Sequence, residues 1–356
     1  MGDSSLNLQT SVVLSTYTSI NLGGAARYFV RCESIPQLRL AIARAREERW
    51  RLHILGGGTN TIFSDAGFDG LVIRIAIRGI DLVQEGEDTL VTAAAGEEWD
   101  PLVRFCVERK LAGIESLSGI PGLAGATPIQ NVGAYGQEVS ETIVRLKALD
   151  LHTMEECVFP GPHCGFGYRK SRFKSRDAGR YVITDVTFRL KLNGKPTIRY
   201  PELLRSMESL YGPKSKEPDP GAVRSAVLAL RSRKSMVIDP TDPNTRSVGS
   251  FFMNPVLSHE DYAGAAERWK MNGVTAPPPT FPAETGLKIS AAWLVEQSGY
   301  PRGYRKGGVG VSANHSLALV NYAGSTAELL SLADDIENSV RTKFGIRLER
   351  EPVIVG

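Results

Sequence analysis

Residues 118–140, SGIPGLAGATPIQNVGAYGQEVS, constrain this chain more than any other stretch, because five glycines and two prolines interrupt them too often for a helix or a regular strand. Gly119, Gly122, Gly125, Gly133 and Gly136 let the backbone take positive φ or approach another molecule closely, while Pro121 and Pro128 stiffen the turns between them. Leu117, Ile120, Leu123, Ile129, Val132 and Tyr135 and a low local charge argue against disorder. A built loop of this kind is either structural or a cradle for a cofactor or substrate.

With 356 residues and 42% hydrophobic content the chain can bury the cores of two or three domains and reads as a soluble globular protein. Its 42 Lys and Arg against 39 acidic residues leave a net charge of +3, too weak a field to point to nucleic acid. Cys32, Cys106, Cys157 and Cys164 are scattered through a chain too long to need disulfide staples, which fits a reducing cytosol. His152, Cys157, His163 and Cys164 have no zinc-ligand spacing, so no metal site is expected. No secretory signal opens the sequence and no apolar run is long enough for a membrane span, so a cytoplasmic protein without membrane contact is expected.

Hydrophobic periodicity predicts strands near residues 28–30, 52–55, 71–75, 90–95, 143–151, 181–190 and 315–321. A helix from Ser34 to Trp50 is expected, capped by Ser34, with Pro36 in its first turn and Leu38, Ala41, Ile42 and Ala45 on one face. Further helices are predicted at 100–110, 222–234, 288–298 and 326–344, the last capped by Thr326. Residues 198–203 read as extended, 214–221 as a polar linker, 239–245 as a boundary or turn and 277–282 as a proline-rich connector.

The strand at 52–55 runs into Gly56-Gly57-Gly58-Thr59-Asn60. Thr61 replaces the third glycine of the dinucleotide fingerprint, yet small residues with free amides can still nest a pyrophosphate. In the segment 164–174, Arg169 beside Tyr168 suits either a solvated basic face or a carboxylate or phosphate clamp. Ser250 lies between Gly249 and two phenylalanines, without a nucleophile-elbow motif.

In this order, GGGTN, SGIPGLAGATPIQNVGAYG, FGYRKS, GSFFMNP, KISAAWLVEQSG and LEREPVIVG resemble the UDP-N-acetylenolpyruvoylglucosamine reductase (MurB) family from about Thr18 onward. The long loop and GSFFMNP are the specific motifs; GGGTN is not. The resemblance implies an α+β fold, in which a two-lobed FAD-binding domain of the vanillyl-alcohol-oxidase (PCMH) type is followed by a C-terminal α+β substrate-binding domain. The divisions expected are 1–76 and 77–235 for the two lobes and 236–356 for the substrate domain.

It also implies NADPH-dependent, FAD-mediated reduction of UDP-N-acetylglucosamine enolpyruvate by a monomer. Arg169, Ser250 and Glu351 fall on the family's catalytic arginine, proton-donating serine and glutamate. Gly56, Gly57, Gly58, Thr59, Asn60, Gly122, Gly125, Thr127, Gln130, Asn131 and Gly133 fall on the cofactor cradle. Tyr135, Tyr200, Lys234, Asn254, Lys288 and Gln297 fall on substrate positions, and Tyr200 in RYPEL implies the long-loop form. Three departures stand out: Thr59 in place of serine, Ala126-Thr127 in place of a more hydroxyl-rich pair, and Arg350 where proline is frequent. A flavin-dependent oxidase of a hydroxy acid or alcohol, and a non-catalytic sugar-nucleotide-binding protein, are the alternatives.

Overall fold

The computed structural model describes residues 6–212, 218–271, 273–274 and 276–356; residues 213–217, which include the first half of the expected linker, lie outside the described residues. The chain divides into two compact units, the first built from residues 1–12, 26–57 and 69–237, the second from 13–25, 58–68 and 238–356. Segments 13–25 and 58–68, inside the stretch read as the first FAD lobe, thus group with the C-terminal part of the chain.

In the first unit a four-stranded sheet runs in the order Gln9–Val13, Ala25–Cys32, Phe68–Ile75, Arg51–Leu55, the last two strands parallel. Helix α1, Ile35–Glu47, is capped by Ser34, whose Oγ accepts the Gln37 N–H. It buries Leu38, Ala41, Ile42 and Ala45 together with Val30, Leu71 and Ile73 of the sheet, so the period-3.6 face read from sequence is the packed one.

The other sheet of this unit is antiparallel and passes through Glu156–Pro160, Ile143–Asp150, Tyr181–Leu192, Asp88–Ala94 and Ile80–Glu85. Against it lies helix α2, Trp99–Glu108, which buries Trp99, Leu102, Val103 and Cys106. The loop 118–140 belongs to the same core: Ala124 and Val139 are buried there, with Leu117 just before it, and its backbone forms short 3-10 turns and one two-stranded antiparallel ribbon, Gly133–Ala134 with Gln137–Glu138.

Helices α3, Pro201–Tyr211, and α4, Pro220–Arg233, pack on one another through Leu203, Met207, Val223, Ala226, Val227 and Leu230. The segment 198–203 is therefore not extended throughout. Pro201 takes the first helical position, where its missing N–H costs nothing, and Leu203 and Met207 supply a buried stripe.

The second unit contains an antiparallel sheet in the order Ser247–Ser250, Ala318–Asn321, Val309–Val311, Arg305–Lys306, and a smaller one in the order Val256–Leu257, Gly286–Ile289, Thr280–Ala283. Helices α5, His259–Met271, α6, Ala291–Gln297, and α7, Thr326–Phe344, enclose a core that includes Phe251, Phe252, Trp269, Leu294, Ile336 and Phe344. The strand Val353–Val355 pairs in parallel with Thr61–Phe63, a pairing between sequence-distant strands of this unit.

Two expectations are corrected here. Lys288 lies on a strand and not in a helix, since the helix begins only after Ser290, whose hydroxyl caps it by accepting from Trp293 N–H. The cap of α7 is Ser325 and not Thr326; Ser325 and Glu328 form a reciprocal capping box, while Thr326 Oγ1 donates to Phe63 O at 2.7 Å. The proline-rich connector at 277–282 also contributes the edge strand Thr280–Ala283.

Candidate active site

The first unit brings the glycine loop and the Gly56-Gly57 turn into backbone contact. A Cβ built on Gly57 would stand 2.6 Å from Gly122 Cα, so only glycine there permits the approach. Gly56 faces Ala126, and the Gly56 carbonyl accepts from the Arg74 guanidinium. This cradle of small residues contains no carboxylate and has a cation at its edge, which fits the pyrophosphate and flat ring of FAD. The Thr127 hydroxyl, by contrast, is buried and donates to Ala124 O at 2.8 Å, holding the loop's own turn.

Arg169 sits at the tip of a two-residue turn closed by Gly167 N–H to Lys170 O at 3.1 Å and Lys170 N–H to Gly167 O at 3.0 Å. Its φ is +52°, and its Nη2 donates to Gly133 O at 2.9 Å, so the guanidinium lies against the glycine loop. Asn131, also at positive φ, is fully buried. Its Nδ2 donates to Glu138 Oε2 at 2.6 Å and Gly167 O at 3.1 Å, and its Oδ1 accepts Ser140 N–H at 3.1 Å. The Asn131 amide is thus engaged inside the protein.

Tyr135 and Tyr200 meet edge to face with ring centroids 5.5 Å apart. Burial pushes the Tyr135 phenol up to about 12, so it remains a neutral hydroxyl at physiological pH. Just beyond the end of α4, Lys234 Nζ stands 2.6 Å from Oε2 of Glu202 in the first turn of α3. At the other end of the loop, Asp100 Oδ1 accepts Gly119 N–H at 2.5 Å and Arg224 Nη1 at 2.6 Å, while Oδ2 accepts Nη2 at 2.8 Å. Burial alone would raise the Asp100 carboxyl, but these hydrogen bonds outweigh it and hold it below the usual range.

The second unit collects Gly58, Thr59, Asn60, Ser250, Asn254, Lys288, Gln297 and Glu351. Ser250 ends its strand directly after Gly249 at φ +78°, at an irregularity in the pairing with Ala318–Asn321. The next residues, Phe251 and Phe252, are driven into the core, which fixes the strand that carries the serine. Glu351 N–H donates to Phe251 O at 2.9 Å and Met253 N–H to Glu349 O at 2.9 Å, so the glutamate segment runs beside the serine segment.

Arg350, the residue found where proline is frequent, donates to Glu337 Oε1 at 2.6 Å and Asp334 Oδ1 at 2.5 Å on α7. Asn60 completes the group: Nδ2 donates to Glu351 O at 3.3 Å and its carbonyl accepts Val353 N–H at 2.9 Å.

Lys288 pairs across the sheet with Val256 on the strand that follows Asn254, and Asn254 Oδ1 accepts Ala291 N–H at 2.9 Å at the start of α6. Gln297 is exposed at the far end of that helix, with its carbonyl accepting Lys343 Nζ. Sequence reading had assigned no role to Asp100, Arg224, Glu202, Glu138 or Ser171. Asp100 is an acid in the first turn of a predicted helix, whereas Arg224 and Glu202 matter through partners far along the chain.

Residues 26–153 match the family model described as an FAD binding domain, and residues 239–355 the C-terminal domain of UDP-N-acetylenolpyruvoylglucosamine reductase. Fold and cradle together make this an α+β FAD-dependent oxidoreductase. The chain is 44% identical to the UDP-N-acetylenolpyruvoylglucosamine reductase of Thermobifida fusca, over 97% of each protein. It is 41% identical to that of Mycobacterium tuberculosis, over 98% of this chain and 96% of the relative. The crystal structure of the Thermus caldophilus enzyme (MurB) matches with a TM-score of 0.66 at 21% identity, covering 99% of this chain and all of that one. The chain belongs to the UDP-N-acetylenolpyruvoylglucosamine reductase family.

Proposed function

We propose that the chain uses NADPH to reduce UDP-N-acetylglucosamine enolpyruvate to UDP-N-acetylmuramate, a step in peptidoglycan precursor synthesis. Bound FAD supplies the redox chemistry, passing reducing equivalents from NADPH to the terminal carbon of the enolpyruvyl group. The main chain of Gly56 to Asn60 and of the loop from Gly122 to Gly133 would hold it, since a hydroxyl-poor Ala126 beside Gly56 leaves backbone groups to make the contacts.

Reduction at the terminal carbon pushes negative charge into the adjacent carbon and its carboxylate, and that charge has to be stabilised. Arg169 provides a fixed cationic fork for the carboxylate, braced on Gly133 O. Glu351 places its carboxyl group beside the developing enolate, and Ser250 Oγ–H protonates the carbon. Serine is a feeble acid, so its role depends on a strongly basic carbanion and a hydroxyl held in place. The observation that carries this reading is the bond from Glu351 N–H to Phe251 O, which keeps the proposed acid and its polarising carboxyl on neighbouring segments anchored by Phe251 and Phe252.

Lys288 serves the UDP pyrophosphate, while Lys234 serves the nicotinamide or the reacting carboxylate. Tyr135, Tyr200, Asn254 and Gln297 complete the substrate contacts, Tyr200 from a loop that folds over the substrate. The division into lobes 1–76 and 77–235 and a substrate domain 236–356 is part of the same reading. Among the described residues no helix is long and apolar enough to cross a membrane. A cytoplasmic monomer is proposed, for which a single species of about 39 kDa in solution is the check.

The decisive experiment separates the half-reactions. In Ser250→Ala, anaerobic bleaching of the flavin by NADPH should stay near wild type, while reoxidation by the enolpyruvyl sugar nucleotide slows by roughly 10²- to 10⁴-fold. Equal loss of both rates would contradict the assignment. Bleaching by a hydroxy acid or alcohol without NADPH would favour the oxidase alternative, and a colourless protein that binds UDP-sugars the non-catalytic one.

A further inference from the structure

Two hydrogen bonds tie the segment bearing Arg169 to the cofactor loop, one on each side of the arginine. Upstream, Asn131 Nδ2 donates to Gly167 O at 3.1 Å, the same carbonyl that accepts Lys170 N–H and closes the turn. Downstream, Ser171, fully buried, donates its hydroxyl to Ile129 O and accepts Phe173 N–H at 3.1 Å. The arginine itself is at φ +52°, a strained conformation for a side-chain-bearing residue that persists only where neighbours hold it.

Asn131 is the centre of this arrangement. Both of its amide hydrogens and its carbonyl oxygen are engaged, with Glu138, Gly167 and Ser140, and none of its surface reaches solvent. Both donors are spent inside the protein and the side chain is fully buried, so it is turned to the loop and not to a ligand. Through Gly167 it fixes the base of the turn, and through Glu138 it fixes the ribbon whose Gly133 carbonyl accepts from Arg169. Both supports of the guanidinium therefore lead back to one amide.

We propose that Asn131 is a positioning residue for Arg169: it sets the guanidinium against the reacting carboxylate and does not itself bind cofactor. The inference rests on the assignment of Arg169 made above.

Asn131→Gly is the suitable variant, because glycine takes the same positive φ and only the side-chain ties are removed. Flavin content and bleaching by NADPH should stay within about 2-fold of wild type. Reoxidation by the enolpyruvyl sugar nucleotide should slow by about 10- to 100-fold, the usual consequence of misplacing a reacting group by an ångström. In an Arg169→Ala background, Asn131→Gly should cost less than about 3-fold further, since the group it positions is gone.

Loss of flavin, equal slowing of both half-reactions, full additivity in the double variant or an unchanged reoxidation rate would each overturn the proposal. Should Asn131→Gly not fold, Glu138→Ala removes one of the ties and should slow reoxidation alone, with Glu138→Gln restoring it; equal effects on both half-reactions would overturn it too. An Arg169→Ala enzyme with normal reoxidation would instead show that the arginine assignment fails, and the positioning role with it.

Discussion

Lys234 Nζ lies 2.6 Å from Glu202 Oε2, so a cation assigned to an anionic ligand is already paired with a carboxylate of the helix that follows Tyr200. An anion reaching Lys234 competes with Glu202 for its charge. Both side chains are about one-third exposed, so solvent screens the pair and it is worth about 0.5–1 kcal/mol. Glu202→Gln should lower the KM for the ligand that uses Lys234 by roughly 2- to 5-fold, with kcat little changed. Measuring KM for NADPH and for the sugar nucleotide separately identifies which ligand that is.

Gly57→Ala should empty the enzyme of cofactor. The added methyl would lie 2.6 Å from Gly122 Cα and 3.2 Å from Gly122 C, and neither main chain can yield without opening the cradle. Gly86→Ala is the matched control: at φ +63° it is strained, but nothing lies within 4 Å of the new Cβ. It should cost about 1 kcal/mol of stability and leave the ratio of flavin to protein absorbance unchanged.

Asp100→Asn should destabilise the first unit by about 3 kcal/mol, because Arg224, only 12% exposed, then loses its bidentate partner. The thermal midpoint should fall by several degrees. Because the Asp100 carboxyl is held below its usual range in the folded protein, its contribution is present above the unfolded carboxylate pKa and is lost as pH falls through the lower folded value. The variant should therefore lose less stability than wild type on acidification below about pH 4.

His53, on the parallel strand Arg51–Leu55, has its pKa pushed down to about 4 by burial. Between the unfolded value near 6.5 and 4 the unfolded chain binds a proton that the folded chain refuses, so stability falls as pH is lowered through that window and is flat above it. The loss approaches about 3 kcal/mol at its acid end. Chemical denaturation at pH 7, 6, 5 and 4.5 checks this, and His53→Gln should flatten the curve over that range.

The helices whose limits were legible are those with a compact apolar stripe, with or without a cap beside it. Ser34 with Leu38, Ala41, Ile42 and Ala45 predicted α1 correctly, and the stripe of Leu102, Val103 and Cys106 predicted α2. Residues 198–203 read as extended although α3 starts at Pro201, because proline suits an extended dipeptide and a first helical turn equally and only the packing of Leu203 and Met207 on α4 selects the helix. Lys288 was misplaced because the apolar period of the helix after Ser290 extends back into the strand when residues are read without hydrogen bonds.

Local chemistry needs only neighbours along the chain, and so the order of residues alone determined the irregular glycine loop, the capped helices and the motifs that place the protein in its reductase family. What folding alone decided are the pairings of sequence-distant groups: Asn131 with Gly167, Asp100 with Arg224, Lys234 with Glu202, and the Glu351 segment beside Ser250. The physical reason is that a buried amide or charge must find a partner wherever the fold supplies one, and a partner dozens of residues away leaves no period or spacing to be read.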